Sequence, residues 1–286
     1  MDSHRLPDRI HSRRQSATDD SAEAFNVISL FSGVGGIELG LRLAVPNARA
    51  VCFVEREAYC CEVLEARMDE ALLAPALIWT DVTTFDGRPW RGVVDCVAGG
   101  FPCQDISDAG KRAGFDGARS GLWHEFARIV REVEPGYVFV ENVAALANRG
   151  LDVVLGTLAD LGYDAKWDVF TAAAVGAPHR RRRLFTLARA PWAKALVYPH
   201  GDGLQQQCTN KLRRTDAAGP GAGCYPPGPQ DAWDSIPSHL KPAVRRVADG
   251  VPHRVDRLRA LGNAVLPDVA RMAFLALAQR LEAGNV

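Results

Sequence analysis

The chain alternates short apolar runs with longer segments in which apolar residues recur every three or four positions. Short runs bounded by glycine, proline or polar residues predict buried strands, and the longer periodic segments predict helices. The predicted strands are 27–31, 50–54, 77–79, 93–98, 137–140, 163–170 and 184–188, and the predicted helices are 37–43, 56–68, 121–133, 151–161 and 267–281. This alternation predicts an α/β fold with a doubly wound, mostly parallel sheet. The loop between the last two strands is too short for a helical crossover, so we expect an antiparallel edge there.

The same pattern divides the chain into segments. Residues 1–24 are polar and show no apolar period, which predicts a disordered tail. Residues 25–190 carry the α/β pattern and form the predicted main domain. From 191 to 253 glycine, proline and glutamine become dense, which predicts a small loop-rich region. Regular structure resumes at 254–286, a segment that we expect to return to the main domain.

Composition narrows the class of protein. The 286 residues are 47% hydrophobic and 24% charged with zero net charge, enough for a sizeable core. We find no apolar run of membrane-spanning length and no signal-peptide pattern, so we expect no membrane association. The seven cysteines form no C-x-x-C pair, which predicts neither disulfides nor a metal site and favours the cytoplasm. Arginines cluster at 180–183 and basic residues again at 241–259, so a basic face is compatible with the neutral total.

One cysteine stands where α/β proteins place their chemistry. Cys103 follows the predicted strand 93–98 on the turn 99–104, and Pro102 restricts the backbone directly before it. Ligands of open α/β sheets bind beyond the carboxyl ends of the strands. A cysteine is more often a small buried hydrophobe, but a thiol on such a turn is a candidate nucleophile.

Three further strand ends carry groups suited to a nucleoside. The glycine-rich turn 31–36 precedes a helix, where backbone N–H groups can approach a ligand. Its spacing departs from the dinucleotide fingerprint because Glu38 stands in place of the third glycine. Glu55 ends the second strand, where an acid can accept a ribose hydroxyl, and Asp81 follows the third strand and could accept from an adenine amino group. Each acid alone is equally consistent with a helix cap or a surface residue, but the three groups together favour a nucleoside ligand.

Five blocks in this order carry a family resemblance. They are Phe31-x-Gly33-x-Gly35-Gly36, Gly100-Phe101-Pro102-Cys103-Gln104, Glu141-Asn142-Val143, the Arg-x-Arg at 181 and 183, and Gly262-Asn263-Ala264-Val265. Together they strongly resemble the DNA (cytosine-5)-methyltransferases. The resemblance covers residues 26–188 and 257–281, and it implies the Rossmann-like fold of methyltransferases that use S-adenosylmethionine. By the same resemblance, 191–253 is a small target-recognition region.

The resemblance also implies roles for individual residues. Cys103 is the implied nucleophile, and Glu141, Arg181 and Arg183 grip the target cytosine. S-adenosylmethionine is the implied cofactor and S-adenosylhomocysteine the product. The implied cofactor-binding residues are Phe31, Ser32, Gly33, Gly35, Gly36, Glu55, Asp81, Val82, Gly100, Pro102, Asn263 and Val265.

The chemistry of cytosine requires these residue types. Carbon C5 is a poor nucleophile until a thiolate adds to C6, so covalent catalysis divides the difficult step in two. Charge then builds at N3 and O2, where Glu141 and Arg183 can donate hydrogen bonds. A base stacked in a duplex must also be flipped out. The glycine- and basic-residue-containing segment 107–119 is a candidate mobile loop that closes over DNA.

Departures from the family pattern shape the remaining expectations. His179 replaces the usual glutamine before Arg-x-Arg, Arg56 stands where an adenine-stacking tryptophan is common, and the usual arginine-rich helix motif is not recognisable. The short recognition region predicts a short or relaxed DNA target. We expect a cytoplasmic monomer, bacterial or phage-encoded, that acts on double-stranded DNA, with a solitary enzyme favoured over one paired with a restriction endonuclease. An RNA cytosine-5 methyltransferase and a catalytically silent DNA-binding homologue remain alternatives, and a nicotinamide dehydrogenase is disfavoured by the glycine spacing.

Overall fold

The computed structural model describes residues 24–102, 121–177, 179–196 and 254–284. The strands are β1 (Phe25–Leu30), β2 (Ala48–Val54), β3 (Leu77–Trp79), β4 (Cys96–Gly99), β5 (Tyr137–Val143), β6 (Asp164–Thr171) and β7 (Arg182–Arg189). The α-helices are α1 (Gly36–Ala44), α2 (Ala58–Asp69), α3 (Leu122–Val133), α4 (Leu151–Asp160), α5 (Arg254–Asn263) and α6 (Pro267–Ala283). The strands form one sheet in the order β3-β2-β1-β4-β5-β7-β6.

The sheet is parallel except at β7, which runs antiparallel to both β5 and β6. Helices cover both faces: α1 and α6 pack in one buried cluster, and α3 and α4 pack in another across the sheet. The doubly wound, mostly parallel fold and the antiparallel pairing of the last two strands are therefore confirmed. The sheet and its two helical layers follow from the residue pattern, since central strands buried on both sides need continuous apolar runs.

One element boundary, the start of β4, differs from the prediction for a visible reason. Strand β4 begins at Cys96, three residues later than expected, because Val93 is held in a turn by its N–H bond to the carbonyl of Trp90. The side chain of Asp95 accepts the backbone N–H of Asn26 at 2.8 Å, which aligns the chain for pairing one residue later. An apolar residue in that turn is not a strand residue, and Val93 is accordingly 53% exposed.

Helix α6 is the apolar helix expected near the C-terminus. By length and hydropathy alone, 255–283 could span a membrane, although no apolar run of that length was expected from the sequence. In the structure this range divides into α5 and α6, and α6 buries Met272, Phe274, Leu277 and other apolar residues in the core. The ring of Phe274 meets Phe139 of β5 edge-on at 5.3 Å. Helix α6 is therefore packed as a core helix of the main domain.

Several predicted segments lie outside the described residues. They are the polar tail apart from its last residue, the loop 107–119, and the loop-rich region 191–253 apart from its first six residues. The division into a main domain, a recognition region and a returning segment therefore stays a prediction.

The strand order locates the functional edge of the sheet. Strand β1 pairs with β2 on one side and with β4 on the other, so the chain reverses its direction of winding there. Crevices outside the carboxyl ends of strands at such a switch point are the usual ligand sites of open α/β sheets.

Candidate active site

The glycine-rich turn after β1 forms an open cradle at the switch point. Phe31 and Gly33 both have φ of 54°, and Gly35 has φ of 77°, so the turn is built from left-handed backbone that favours glycine. The N–H of Gly33 donates to Oε2 of Glu55 at 2.7 Å. A Cβ placed on Gly33 would meet no atom within 4 Å, which shows free space beside the backbone. Ser32, by contrast, points inward and is buried.

Glu55 occupies the end of β2 as predicted. Its Oε1 accepts the N–H of Glu57 at 2.7 Å, so each carboxylate oxygen is fixed by one backbone donor. A carboxylate offers about four lone-pair sites, so two backbone bonds leave capacity for ligand hydroxyls. The carboxylate is thus preorganised beside the glycine turn.

Asp81 follows β3 and serves as a cap. Its Oδ1 accepts both the N–H and the hydroxyl of Thr83, at 3.0 and 2.8 Å, and these bonds lower the pKa of Asp81. The interpretation of Asp81 as a helix cap is therefore correct for its Oδ1 atom. Asp81 is nevertheless exposed at the same edge as Glu55, and the adjacent Val82 is buried. Strand order β3-β2-β1 thus brings the three predicted nucleoside groups together.

The C-terminal segment reaches the same edge. A Cβ built on Gly36 would lie only 2.2 Å from the carbonyl oxygen of Val265, so the two backbones are in direct contact. Asn263 ends α5 and is exposed. An ion pair of 3.1 Å between Arg259 of α5 and Glu57 ties this helix to the turn after β2. Val265 therefore lies beside the glycine turn although it is distant in sequence, and Asn263 lies two residues before Val265 in the chain.

The turn after β4 forms the other half of the site. A Cβ on Gly100 would lie 2.6 Å from Oε2 of Glu141, so the absence of a side chain at Gly100 allows this carboxyl to approach the turn closely. The buried side chain of Asn142 donates its Nδ2 hydrogen to the carbonyl of Phe101 at 3.1 Å. This bond joins β5 to the segment that leads through Pro102 to Cys103. Cys103 itself lies outside the described residues.

Glu141 and two arginines form the charged centre of this half. Nε of Arg183 lies 2.8 Å from Oε1 of Glu141. Burial raises the pKa of Glu141 to about 7, against the opposing effect of the positive charges on Arg183 and Arg181. Burial also lowers the pKa of Arg181, which donates from Nη1 to the carbonyl of Leu261 in α5 at 3.5 Å. The carboxyl is poised to hold or release a proton near neutral pH.

Topology explains why the arginines reach Glu141. Arg183 pairs with Val143 at the carboxyl end of β5, because antiparallel β7 starts where β5 ends. Arg181 and Arg183 flank an exposed Arg182, in keeping with alternation along a strand.

Of the departures from the family pattern, His179 and Arg56 are both exposed. No group of three or more His, Cys, Asp or Glu in the described part of the chain is arranged to hold a metal.

Three supporting residues of the site, Asn142, Arg128 and Glu38, were not predicted from the sequence. Asn142 was seen only as part of a motif, although a polar residue inside an apolar strand signals a buried hydrogen bond. Arg128 of α3 donates to the carbonyls of Val82 and Phe85 at 2.9 and 3.0 Å and so supports the turn after β3. Its acidic partners three and four residues away on α3 were the available signal. Glu38 was noted only as a missing glycine, and its buried environment is visible only in the fold.

Comparison with known proteins gives a consistent family. The model of the C-5 cytosine-specific DNA methylases matches residues 25–203. The chain is 36% identical over 176 residues to the Type II methyltransferase M.Eco47II of Escherichia coli, covering 60% of this chain and 41% of that protein. It is 30% identical over 250 residues to the Type II methyltransferase M.AquIA of Picosynechococcus sp., covering 80% of this chain and 96% of that protein.

A solved structure shows the same fold. The methyltransferase EhMeth of Entamoeba histolytica superposes with a TM-score of 0.51 at 17% identity, covering 63% of this chain and 57% of that one. The match covers about two fifths of the full length of M.Eco47II and nearly the full length of M.AquIA. The matched region contains β1 to β7, the glycine turn, Glu55, Glu141 and both arginines. The chain belongs to the C-5 cytosine-specific DNA methylase family.

Proposed function

We propose that the protein transfers a methyl group from S-adenosylmethionine to C5 of a flipped cytosine in double-stranded DNA, through a covalent bond between the sulfur of Cys103 and C6. The observation that carries this proposal is the buried Glu141 beside Arg183 and Arg181, facing the glycine turn that follows β4. The pKa of the Glu141 carboxyl lies near neutral pH, so this group can donate to N3 and accept from the exocyclic amine of cytosine. The neighbouring guanidinium groups can donate to O2.

The cofactor half of the edge fits S-adenosylmethionine. The open space at Gly33 and the preorganised carboxylate of Glu55 suit an amino-acid tail and a ribose, respectively. Phe31, Asp81, Val82, Asn263 and Val265 would complete the pocket, with Ser32, Gly35, Gly36, Gly100 and Pro102 shaping its backbone. When bound, this cofactor supplies an electrophilic methyl group.

The chain's own residues would act on the base in order. The thiolate of Cys103 adds to C6 while the protonated carboxyl of Glu141 donates to N3, and its other oxygen accepts from the exocyclic amine. Arg183 donates to O2 as negative charge develops there, and Arg181 supports it. After C5 has accepted the methyl group, a water acts as the base that removes the C5 proton. The electron pair of the C5–H bond then expels the Cys103 thiolate from C6 and restores the aromatic ring. The two guanidinium groups also favour the thiolate form of a nearby cysteine.

DNA binding draws support from the surface beside Glu141. Arg180 and Arg182 are exposed next to the base-binding pair, where their charges are available to phosphates. We infer double-stranded DNA as the substrate and a short or relaxed target. Methylation sequencing of DNA from a methylation-free host that expresses the protein tests this inference, and a long strict site would contradict it. Protection of that DNA from a co-expressed endonuclease would support a restriction partner.

A trapped covalent adduct tests the proposed reaction. The protein is incubated with S-adenosylmethionine and a duplex containing 5-fluorocytosine, because fluorine at C5 prevents the final elimination. We expect a mass increase equal to the methylated strand in the wild-type protein and none in Cys103→Ser. Cys61→Ser is the matched control, because Cys61 of α2 is half-buried and forms no disulfide, and a serine hydroxyl can replace the thiol as donor to the carbonyl of Glu55. This variant should leave the adduct intact.

The outcomes separate the alternatives. Adduct formation with 5-fluorocytosine RNA but not DNA would establish the RNA methyltransferase instead. DNA binding without any adduct would establish the catalytically silent homologue. An adduct that survives in Cys103→Ser would refute the assignment of Cys103 as the nucleophile.

A further inference from the structure

One buried carboxyl has no part in the proposed reaction. Glu38 lies in the first turn of α1 and is 5% exposed. Its Oε1 accepts a hydrogen bond from the hydroxyl of Ser29 in β1, whereas its Oε2 is buried without a hydrogen-bond partner among the described residues. A buried carboxylate with an unused oxygen is costly to keep ionised. A positive charge close to Oε2 of Glu38 would offset this cost of ionisation.

The unused oxygen lies directly beneath the glycine turn. A Cβ built on Gly35 would be 3.7 Å from Oε2 of Glu38. Ser29 is also 2.8 Å from the hydroxyl of Ser32, which belongs to the same turn. Glu38 is therefore connected to the cofactor turn both by contact and through Ser29.

The hydrogen-bond chain makes the turn sensitive to the proton on Glu38. The hydroxyl of Ser29 carries one hydrogen, so it cannot donate to Ser32 and Glu38 at the same time. When Glu38 is ionised, Ser29 donates to the carboxylate. When Glu38 is protonated, the carboxyl can donate to Ser29, and Ser29 is then free to donate to Ser32.

Charged and titratable groups face Glu38 from the neighbouring elements. Burial is the main cause that raises the pKa of Glu38 to about 7, and the charge of Glu55 acts in the same direction. The Ser29 hydrogen bond, the backbone of Glu38 itself and Arg67 of α2 oppose the rise. Arg67 is already engaged with the turn, since its Nη1 donates to the carbonyl of Val34. Cys96 of β4 also lies within electrostatic range, and its buried thiol is neutral at physiological pH because burial strongly raises its pKa. Burial thus outweighs the one nearby cation.

We propose that Glu38 is the counter-charge by which the turn 33–36 prefers the cationic S-adenosylmethionine over its neutral-sulfur product, S-adenosylhomocysteine. This inference rests on the proposed function and names a residue that distinguishes substrate from product. A positive sulfonium near the turn favours the ionised carboxyl and so lowers the pKa of Glu38 in the complex. The product lacks the sulfonium charge, so that charge does not lower the pKa of Glu38 when the product binds.

Linkage turns this preference into a pH dependence. Because binding of the cation lowers the pKa of Glu38, a proton is released, and affinity for S-adenosylmethionine rises with pH up to about 7. A decrease of one pKa unit on binding corresponds to about a tenfold gain in affinity between the acidic and basic limits. The product's affinity should not follow this trend.

Isothermal titration calorimetry tests the proposal without turnover. Both ligands are titrated at pH 6, 7 and 8, in two buffers of different ionisation enthalpy at each pH, so that proton release is measured directly. With a free pKa of about 7 for Glu38 and a decrease of one unit on binding, we expect the ratio of product to substrate Kd in the wild-type protein to increase about fivefold between pH 6 and pH 8. Glu38→Gln should bind the product normally and lose both the ratio change and the extra proton release. Glu62→Gln, on the exposed side of α2, is the matched control and should behave as wild type.

Comparison between variants removes the titration of the ligand's own amino group, which is common to all of them. Failure of the wild type to bind S-adenosylmethionine would contradict the proposed function itself. Binding with a pH-independent ratio, or a ratio unchanged in Glu38→Gln, would overturn only the role of Glu38. Should Glu38→Gln not fold, Ser29→Ala is the second variant. Loss of its bond raises the pKa of Glu38, so the affinity change must move to higher pH, and an unmoved midpoint would also refute the inference.

Discussion

Replacing Gly36 with alanine tests whether the glycine turn and the C-terminal segment form one binding surface. The new Cβ would lie 2.2 Å from the carbonyl oxygen and 3.1 Å from the carbonyl carbon of Val265. Carbon–oxygen contacts settle at about 3.3–3.6 Å, so the two backbones must separate by about 1 Å. Neither partner is a flexible side-chain end, and the strain therefore has to move main chain.

Two opposing effects set the magnitude for stability. Alanine is favoured over glycine in a helix by roughly 0.5–1 kcal/mol, whereas overpacking costs about 1–3 kcal/mol. We expect a net loss of about 1–2 kcal/mol in the free energy of unfolding of Gly36→Ala. A displacement of about 1 Å at a binding site can cost about a hundredfold, so the affinity for S-adenosylmethionine should fall by between ten- and a hundredfold, roughly.

Urea unfolding and calorimetric titration measure the two quantities on the same samples. Gly156→Ala in α4 is the matched control, because Gly156 is an exposed helical glycine whose Cβ would meet no atom within 4 Å. The control should gain up to about 1 kcal/mol and bind the cofactor as wild type does. If Gly36→Ala unfolds and binds like the wild type, the contact between Gly36 and Val265 does not shape the pocket and the reasoning fails.

Three other variants probe the rest of the site. Glu141→Gln should slow methyl transfer by about 10²–10⁴-fold in steady-state assays. In the wild type, deprotonation of Glu141 should decrease the rate above a pH of about 7, and this decrease should be absent in the variant. A near-normal rate would remove Glu141 from the mechanism. Asn142→Ala leaves the carbonyl of Phe101 without its donor, so unfolding assays should show a loss of about 1–3 kcal/mol, with kcat falling more than cofactor affinity; an unchanged kcat would show that the bond is only structural. Arg128→Met releases the carbonyl of Val82, and cofactor KM should rise by about tenfold at nearly constant kcat; equal effects on both constants would argue against a positioning role.

Local periodicity determined most of the architecture in advance. Strands such as β1 and β5 are nearly continuous apolar runs, and α3 buries Trp123, Phe126 and Val130 at helical spacing. These short-range patterns indicate which face of each helix or strand is apolar, and those faces are buried in the folded chain. The glycine turn after β1, Glu55 and Asp81 were located at strand ends for the same reason, because each lies within two residues of the end of its strand. The boundary of β4 was not, since a turn stabilised by Trp90 decides where pairing begins.

The sequence by itself determined the order of the elements and which residue types end each strand. Only the tertiary structure decided that Arg183 meets Glu141, because that contact needs antiparallel β7 to insert beside β5. The contact between Gly36 and Val265 likewise needs the chain to return to its first turn. Burial is the largest cause that raises the pKa of both Glu38 and Glu141 to about 7, and burial is a property of the packed molecule. Neighbouring residues determine the secondary structure. The protonation of buried groups, the exclusion of water and the contacts between distant segments depend on the packing of the whole folded chain.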